Sequence, residues 1–429
     1  MFILVIFLFG SALANQAIRI SDDPSGVTLL SQDETGLTIR IDVGSIEIFD
    51  VQTSAGTFAR MRIDGFAKSN RLGEPDLPMA NRLISIPYGC VLAVEILDYE
   101  TAEISLADYG VTAPLMPVQP SLSKSQDPAD VPFEFNEALY SQGGYYTLPL
   151  AQAEDVGIMR AMRLGLVSAA PVEYDPVANT IRVHRNLTLR IAFQNPDWDQ
   201  TRKEWQRLYS PFYEVVYGRV LNYKDQAPML LNDLTRYPVK YVIVSHRMFQ
   251  AQLQPFIEWK IRRGFEVEVG YTDSIGTSNT AIRTWIRNIY DNSSPAPSFV
   301  LLVGDAQQIP PFSFSGHISD LSFCEYTNDN IPEIYYGRFS AQNTGQLQPQ
   351  IDKTLEYEQY TMPDPSFLGE VTMIAGMDGT YGQVWANGQI NYGTSLYFNT
   401  DHGIFSNTFL YPNSGNQDAV IIQTVNDGV

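Results

Sequence analysis

The chain has 429 residues, enough for about two to four domains at roughly 150 residues each. Its 44% hydrophobic and 12% aromatic content excludes a disordered tail or a coiled coil, and 48 acidic against 28 basic side chains give a field that repels nucleic acid and anionic membrane. Two cysteines, Cys90 and Cys324, and four histidines exclude a disulfide scaffold or a Cys/His zinc module.

Residues 1–9 are uniformly apolar, and Gly10 is followed by Ser11-Ala-Leu-Ala14-Asn15, a small-residue cleavage pattern. This reads as a signal peptide over 1–14, although a basic n-region is missing. No later stretch reaches the about 20 apolar residues of a membrane-spanning helix. From Ile18 to Phe193 short period-two runs alternate with turns, as in Gly36–Asp42, Ile84–Ile86, Val91–Ile96, Val172–Tyr174 and Thr180–Arg185. That texture predicts an all-β, sandwich-like module in which His184 is structural. Residues 195–237 form a charged, aromatic-rich connector, expected to be polar, mobile and partly helical near 201–209.

The period then changes. Tyr241–Ser245 is a continuous apolar run, as in a strand buried on both faces. Helical spacing over Phe249–Arg263, a strand at Phe265–Val269, a helix at Thr280–Tyr290 and a strand at Ser298–Val303 predict a doubly wound parallel sheet. Gly264 is placed to cap the first helix. Gly304-Asp305 lies at a strand's carboxyl end, where such sheets gather their chemistry.

The segments Pro255-Phe-Ile-Glu-Trp-Lys260, Arg263-Gly-Phe-Glu-Val267, Val300-Leu-Leu-Val-Gly-Asp305, Gln308-Ile-Pro310, Ser319-Asp320, Gly337-Arg-Phe339 and Ile351-Asp-Lys353 with Tyr357-Glu358 resemble the gingipain family of cysteine peptidases. Gly73-Glu-Pro-Asp-Leu-Pro78 and Ile84-Ser-Ile-Pro87 are similar to the opening of that family's propeptide. The resemblance implies a caspase-like α/β catalytic unit of two subdomains that cleaves peptide bonds with a Cys nucleophile and a His base. In that family both catalytic residues follow strands of the second subdomain, which here starts near Phe367, so they are expected beyond Val429. The fragment by itself is expected to be inactive.

The residues on hand are poor substitutes. Cys324 is flanked by Glu325 and has no local base to lower its pKa. His402 falls in a loop after a helix in the family pattern, and His246 and His317 follow strand or turn signals. Asp378 stands where the family carries an acid that orients the catalytic His, against the bland reading of a strand-end turn. Gln389 occupies a region where some members place an Asp for substrate Arg, which argues against Arg specificity. Asp329 and Glu333, in an oxygen-rich turn matching a segment near which family members bind calcium, are candidate ligands for structural calcium.

The combined reading is a signal peptide (1–14), a β-rich propeptide with connector (15–225), a first α/β subdomain (237–366) and an incomplete second one (367–429). The propeptide is expected to contact the catalytic unit within the chain, and Lys224 or Arg236 to mark the activating cut. The alternatives are a sortase-like transpeptidase of a bacterial secretion system and a non-catalytic surface binding protein.

Overall fold

The computed structural model describes residues 16–122, 126, 130–224, 226, 239–314, 316–379 and 382–428. The signal segment 1–14 and Arg236 lie outside them. Among the described residues no helix is long and apolar enough to cross a membrane. The chain forms two compact units, one of residues 1–250 with 260–342 and the other of 251–259 with 343–429.

In the first unit the strands of the β-rich region include β1 (Gly36–Asp42), β2 (Pro78–Ile86), β3 (Val91–Ser105), β4 (Ala151–Met159), β5 (Met162–Ala169) and β6 (Thr180–Gln194). Strand β6 pairs antiparallel with both β1 and β3, while β5 pairs with both β2 and β4. The alternation read from the sequence decides which faces meet. Leu37, Ile39 and Ile41 of β1 stand opposite Ile191, Leu189 and Leu187 of β6, and all six are buried. They share one apolar core with Ala80, Ile84 and Ile86 of β2 and Val167 of β5. Each buried Leu, Ile or Val among them contributes about 2 kcal/mol on burial. Thr180–Arg185 and Leu187–Ile191 prove to be one strand, interrupted at Asn186, whose left-handed backbone (φ 53°) accompanies a shift of register against β3.

The parallel sheet follows. Its strands β7 (Val239–Ser245), β8 (Phe265–Tyr271), β9 (Phe299–Val303) and β10 (Tyr335–Phe339) lie in the order β8-β7-β9-β10, all parallel. Val242, Ile243 and Val244 are fully buried, as a central strand covered on both faces requires. The connecting helices come where the 3.6-residue spacing put them. Among the helices of at least eight residues, α1 (Trp198–Leu208) precedes the sheet, α2 (Gln250–Arg262) follows β7 in the chain with its residues 251–259 in the second unit, and α3 (Asn279–Asn292) lies between β8 and β9 in the chain. Gly264, at φ 91°, ends α2 as expected. The Ser278 hydroxyl caps α3 by accepting from Ala281 N–H, and its Ile282, Ile286 and Ile289 are buried.

The second unit holds α4 (Thr344–Gln359), a two-stranded parallel sheet of β11 (Glu370–Ile374) and β12 (Phe405–Phe409), and helices α5 (Asn387–Leu396) and α6 (Asp418–Asn426).

The connector departs from expectation. Instead of polar, mobile surface, its described part is core: Trp205, Leu208, Tyr213, Tyr217 and Tyr223 are buried in one cluster with Met162 and Leu164 of β5 and with Val242, Val244, Val300 and Leu302 of the parallel sheet. Aromatic residues recurring at helical spacing supply a buried stripe that the scattered charges disguise. The charges serve the edges: Asp197 caps α1, Trp198 Nε1 donates to Glu34 O, and Arg207 donates to Tyr290 O.

Candidate active site

Chemistry in an open α/β sheet is sought beyond the carboxyl ends of its strands. At the end of β9, Gly304 has φ 141° and turns the chain so that Asp305 lies over the strand tips. The Asp305 carboxylate accepts from Gln342 Nε2 (2.7 Å) and Ser340 Oγ (3.1 Å), tying the end of β9 to the end of β10. These bonds, together with the Ala306 N–H, hold its carboxyl below the usual range, with Gln342 the largest influence.

Beside it Arg338 of β10 grips Asp320 in a bidentate pair (2.8 and 2.6 Å), and its remaining nitrogen donates to Gly304 O and Ile309 O. A recess of about 270 Å³ opens over this floor, lined by Asp305, Pro311, Ile318, Asp320, Arg338 and Ser340. The planar fork of arginine suits this task because its three nitrogens are all engaged at fixed angles. Such a floor can position a ligand. Among the described residues that line it there is no thiol or imidazole, and the Ser340 hydroxyl donates to Asp305, a carboxylate whose lowered pKa makes it a weak base, so the floor does not by itself supply an activated nucleophile.

Asp378 lies four residues beyond the carboxyl end of β11 in the second unit, exposed, and its carbonyl accepts from Gly382 N–H. Gln389 is exposed on α5.

Neither thiol is activated. Cys324 is fully buried, which pushes its pKa well up, and the negative Glu333 and Asp320 nearby push in the same direction. Burial also raises Cys90. Among the described residues no histidine bonds to either sulfur. His246 Nδ1 caps the short helix at Arg247–Phe249, His317 stacks on Phe314, and His402 bonds to Asn399 in an exposed turn. His184 is buried on β6 against the edge of Tyr99.

The turn proposed for calcium is occupied by internal bonds. Glu333 is buried; its carboxylate accepts from Tyr326 N–H (2.7 Å) and Thr327 Oγ1 (2.9 Å). Asp329 accepts from Ile331 N–H and, across from β4, Ile158 N–H (2.7 Å), and it shares the one Thr327 hydroxyl proton with Glu333. Burial raises the Glu333 pKa to about 7, assisted by Asp329 and Glu325 and opposed by its two hydrogen bonds. Calcium prefers six to eight oxygens, yet these carboxylates face N–H and O–H donors. Among the described residues no group of three or more His, Cys, Asp or Glu side chains is arranged to hold a metal. The donor set as folded does not fit calcium.

Two features had no role assigned from the sequence. Ser319-Asp320 and Gly337-Arg-Phe339 were legible as separate motifs, but nothing local pairs Asp320 with Arg338 across 18 residues. Arg160, wholly buried at a hairpin turn, had a weak signal: a lone cation between the apolar pairs Ile158-Met159 and Ala161-Met162.

Residues 234–429 match peptidase family C25, and residues 16–231, half of the chain, match the C25 propeptide. The chain belongs to the gingipain family. It is 33% identical over 408 residues to Lys-gingipain HG66 of Porphyromonas gingivalis, which covers 93% of this chain and 23% of that protein. To gingipain R2 of the same species it is 25% identical over 386 residues, or 87% of this chain and 50% of that one. The chain thus spans about a quarter of the length of the curated Lys-gingipains it matches. Among solved structures, one described as addressing the zymogenic latency of gingipain K from Porphyromonas gingivalis is 32% identical with a TM-score of 0.41, covering 42% of this chain and 99% of that one.

Proposed function

We propose that the chain is the propeptide and the first part of the catalytic domain of an exported gingipain-like cysteine endopeptidase precursor. The observation that carries this is the order of the two family matches, propeptide then peptidase, which together run from residue 16 to 429 with a break only at 232–233. On this reading the β-rich region is a sandwich-like inhibitory propeptide and the parallel sheet the first half of a caspase-like unit. The whole protein attacks a peptide carbonyl with a thiolate, holds the oxyanion with backbone N–H groups and hydrolyses the acyl-enzyme. Asp378 is the carboxylate that orients the catalytic imidazole. The Asp305–Arg338 floor braces the strand ends. Lysine is taken as the favoured residue at the cleaved bond, because identity is higher to Lys-gingipain (33%) than to gingipain R2 (25%), and Gln389 stands where an Arg-directed Asp is expected.

The test is hydrolysis of matched Lys and Arg peptides by the whole protein after the connector is cut. Cleavage after Lys, abolished by a thiol alkylating agent, is the expected result. A folded, cut and wholly inert protein refutes the peptidase reading, and a preference for Arg refutes the specificity.

A further inference from the structure

The β4–β5 hairpin of the propeptide region reverses through two residues, Arg160 and Ala161, with Met159 paired to Met162. Such a turn needs positive φ at a central position, which glycine normally supplies. Here Arg160 adopts it, at φ 56°. A non-glycine residue held in this region points to a demand on its side chain.

That side chain is completely buried. Its guanidinium donates in every direction and meets no carboxylate among its hydrogen-bond acceptors. Nε bonds to Leu208 O of α1, Nη1 to Pro297 O (2.6 Å) and Glu333 O (3.2 Å), and Nη2 to Ala296 O (2.9 Å) and Ser298 Oγ (3.3 Å). The Tyr213 ring lies against it, its centroid 5.2 Å from Cζ. Four of the five acceptors belong to the first catalytic subdomain. The same tip makes a second contact, from Ile158 N–H to the Asp329 carboxylate. Gly157 permits that approach, because a Cβ there would lie 2.5 Å from Asp329 Oδ2.

We propose that the Gly157–Met162 tip is the anchor by which the propeptide region grips the first catalytic subdomain, with Arg160 as its central contact, so that cutting the connector does not by itself separate the two. A buried guanidinium satisfied by fixed carbonyls is costly to withdraw, since leaving strands both the cation and its acceptors until water replaces each partner. The turn first read as a metal site is thereby assigned as the receiver of this tip. The inference uses the division into propeptide and peptidase but not the activity, so hydrolysis assays and the following experiment fail independently.

The full 429-residue chain, given a specific-protease sequence between Gln226 and Val239 and an N-terminal tag, is cut, immobilised and washed while loss of the C-terminal piece is timed. The uncut chain's circular dichroism reports folding. The wild-type pieces are expected to stay together, and Arg160→Ala to speed their separation about 100-fold. Arg160→Lys, keeping charge without the fork, falls between. Arg163→Ala is the control, because among the described residues Arg163 bonds within the propeptide region, to Asp155, Pro87 O and the carbonyl and sulfur of Cys90. Equal effects of the two alanine variants, or a folded Arg160→Ala with wild-type retention, overturn the proposal. Should Arg160→Ala fail to fold, Gly157→Ala decides: faster loss supports the anchor and unchanged retention overturns it.

Discussion

Replacing Trp205 by alanine tests whether the propeptide and the first catalytic subdomain share one core. Trp205 is 1% exposed, packs against Tyr217 (ring centroids 5.2 Å apart) and stacks on Tyr223 (5.9 Å). It belongs to the cluster that joins Ala161 and Met162 of the propeptide side with Val242 and Ile286 of the peptidase side. An aromatic ring of this size buries about 200 Å² and is worth about 5 kcal/mol at 25 cal/mol per Å². Measured truncations of buried aromatics cost about 3–5 kcal/mol, so about 4 kcal/mol is expected, equivalent for a unit of this size to a melting temperature lower by about 5 °C. The assay is a urea and thermal melt of the full chain followed by far-UV circular dichroism, with limited proteolysis resolving which segments open. A shared core predicts that β-rich and α/β segments lose protection together in the variant. Loss confined to the connector, or a cost below about 1 kcal/mol, refutes it.

Two further predictions follow from the buried groups. The Glu333 carboxyl titrates near 7 in the folded chain and at 4.5 when unfolded, so the native state holds the extra proton between those values. Stability from this group is therefore complete below about pH 4.5 and falls as pH rises through 7, by on the order of 3 kcal/mol. Denaturant melts across this range should show wild type losing stability relative to Glu333→Gln as pH rises; parallel curves refute the assignment. Cys90 and Cys324 are both buried free thiols with raised pKa values. A disulfide reagent at mildly alkaline pH should find neither thiol quickly in the native chain and both after denaturation. Rapid native labelling at Cys324 would contradict its packing.

Much of the fold was legible because the governing signals are local. Alternation in Gly36–Asp42 and the unbroken apolar run at Tyr241–Ser245 follow from which faces of a strand are covered. The helices α2 and α3 announced themselves by spacing, and α2 also by Gly264 at its end, whereas the Ser278 cap of α3 came from the structure. The connector misled for an equally physical reason: Arg and Lys between the aromatics lower its average hydropathy, while burial responds to the stripe on one face of α1. The acidic turn misled differently. Its oxygens suit calcium by type, but whether a carboxylate faces a cation or an N–H depends on neighbours such as Ile158, 171 residues away in sequence.

The amino-acid sequence by itself determined the two textures of the chain, the elements within them and the family, since side-chain periodicity and motif spacing are properties of neighbours along the backbone. Only the tertiary structure decided that the connector is shared core, that Asp320 pairs with Arg338, and that Arg160 is an anchor. The acceptors of Arg160 are mostly backbone carbonyls, which every residue carries alike. No sequence pattern distinguishes the carbonyls of Ala296, Pro297 and Glu333 until folding brings them around one guanidinium.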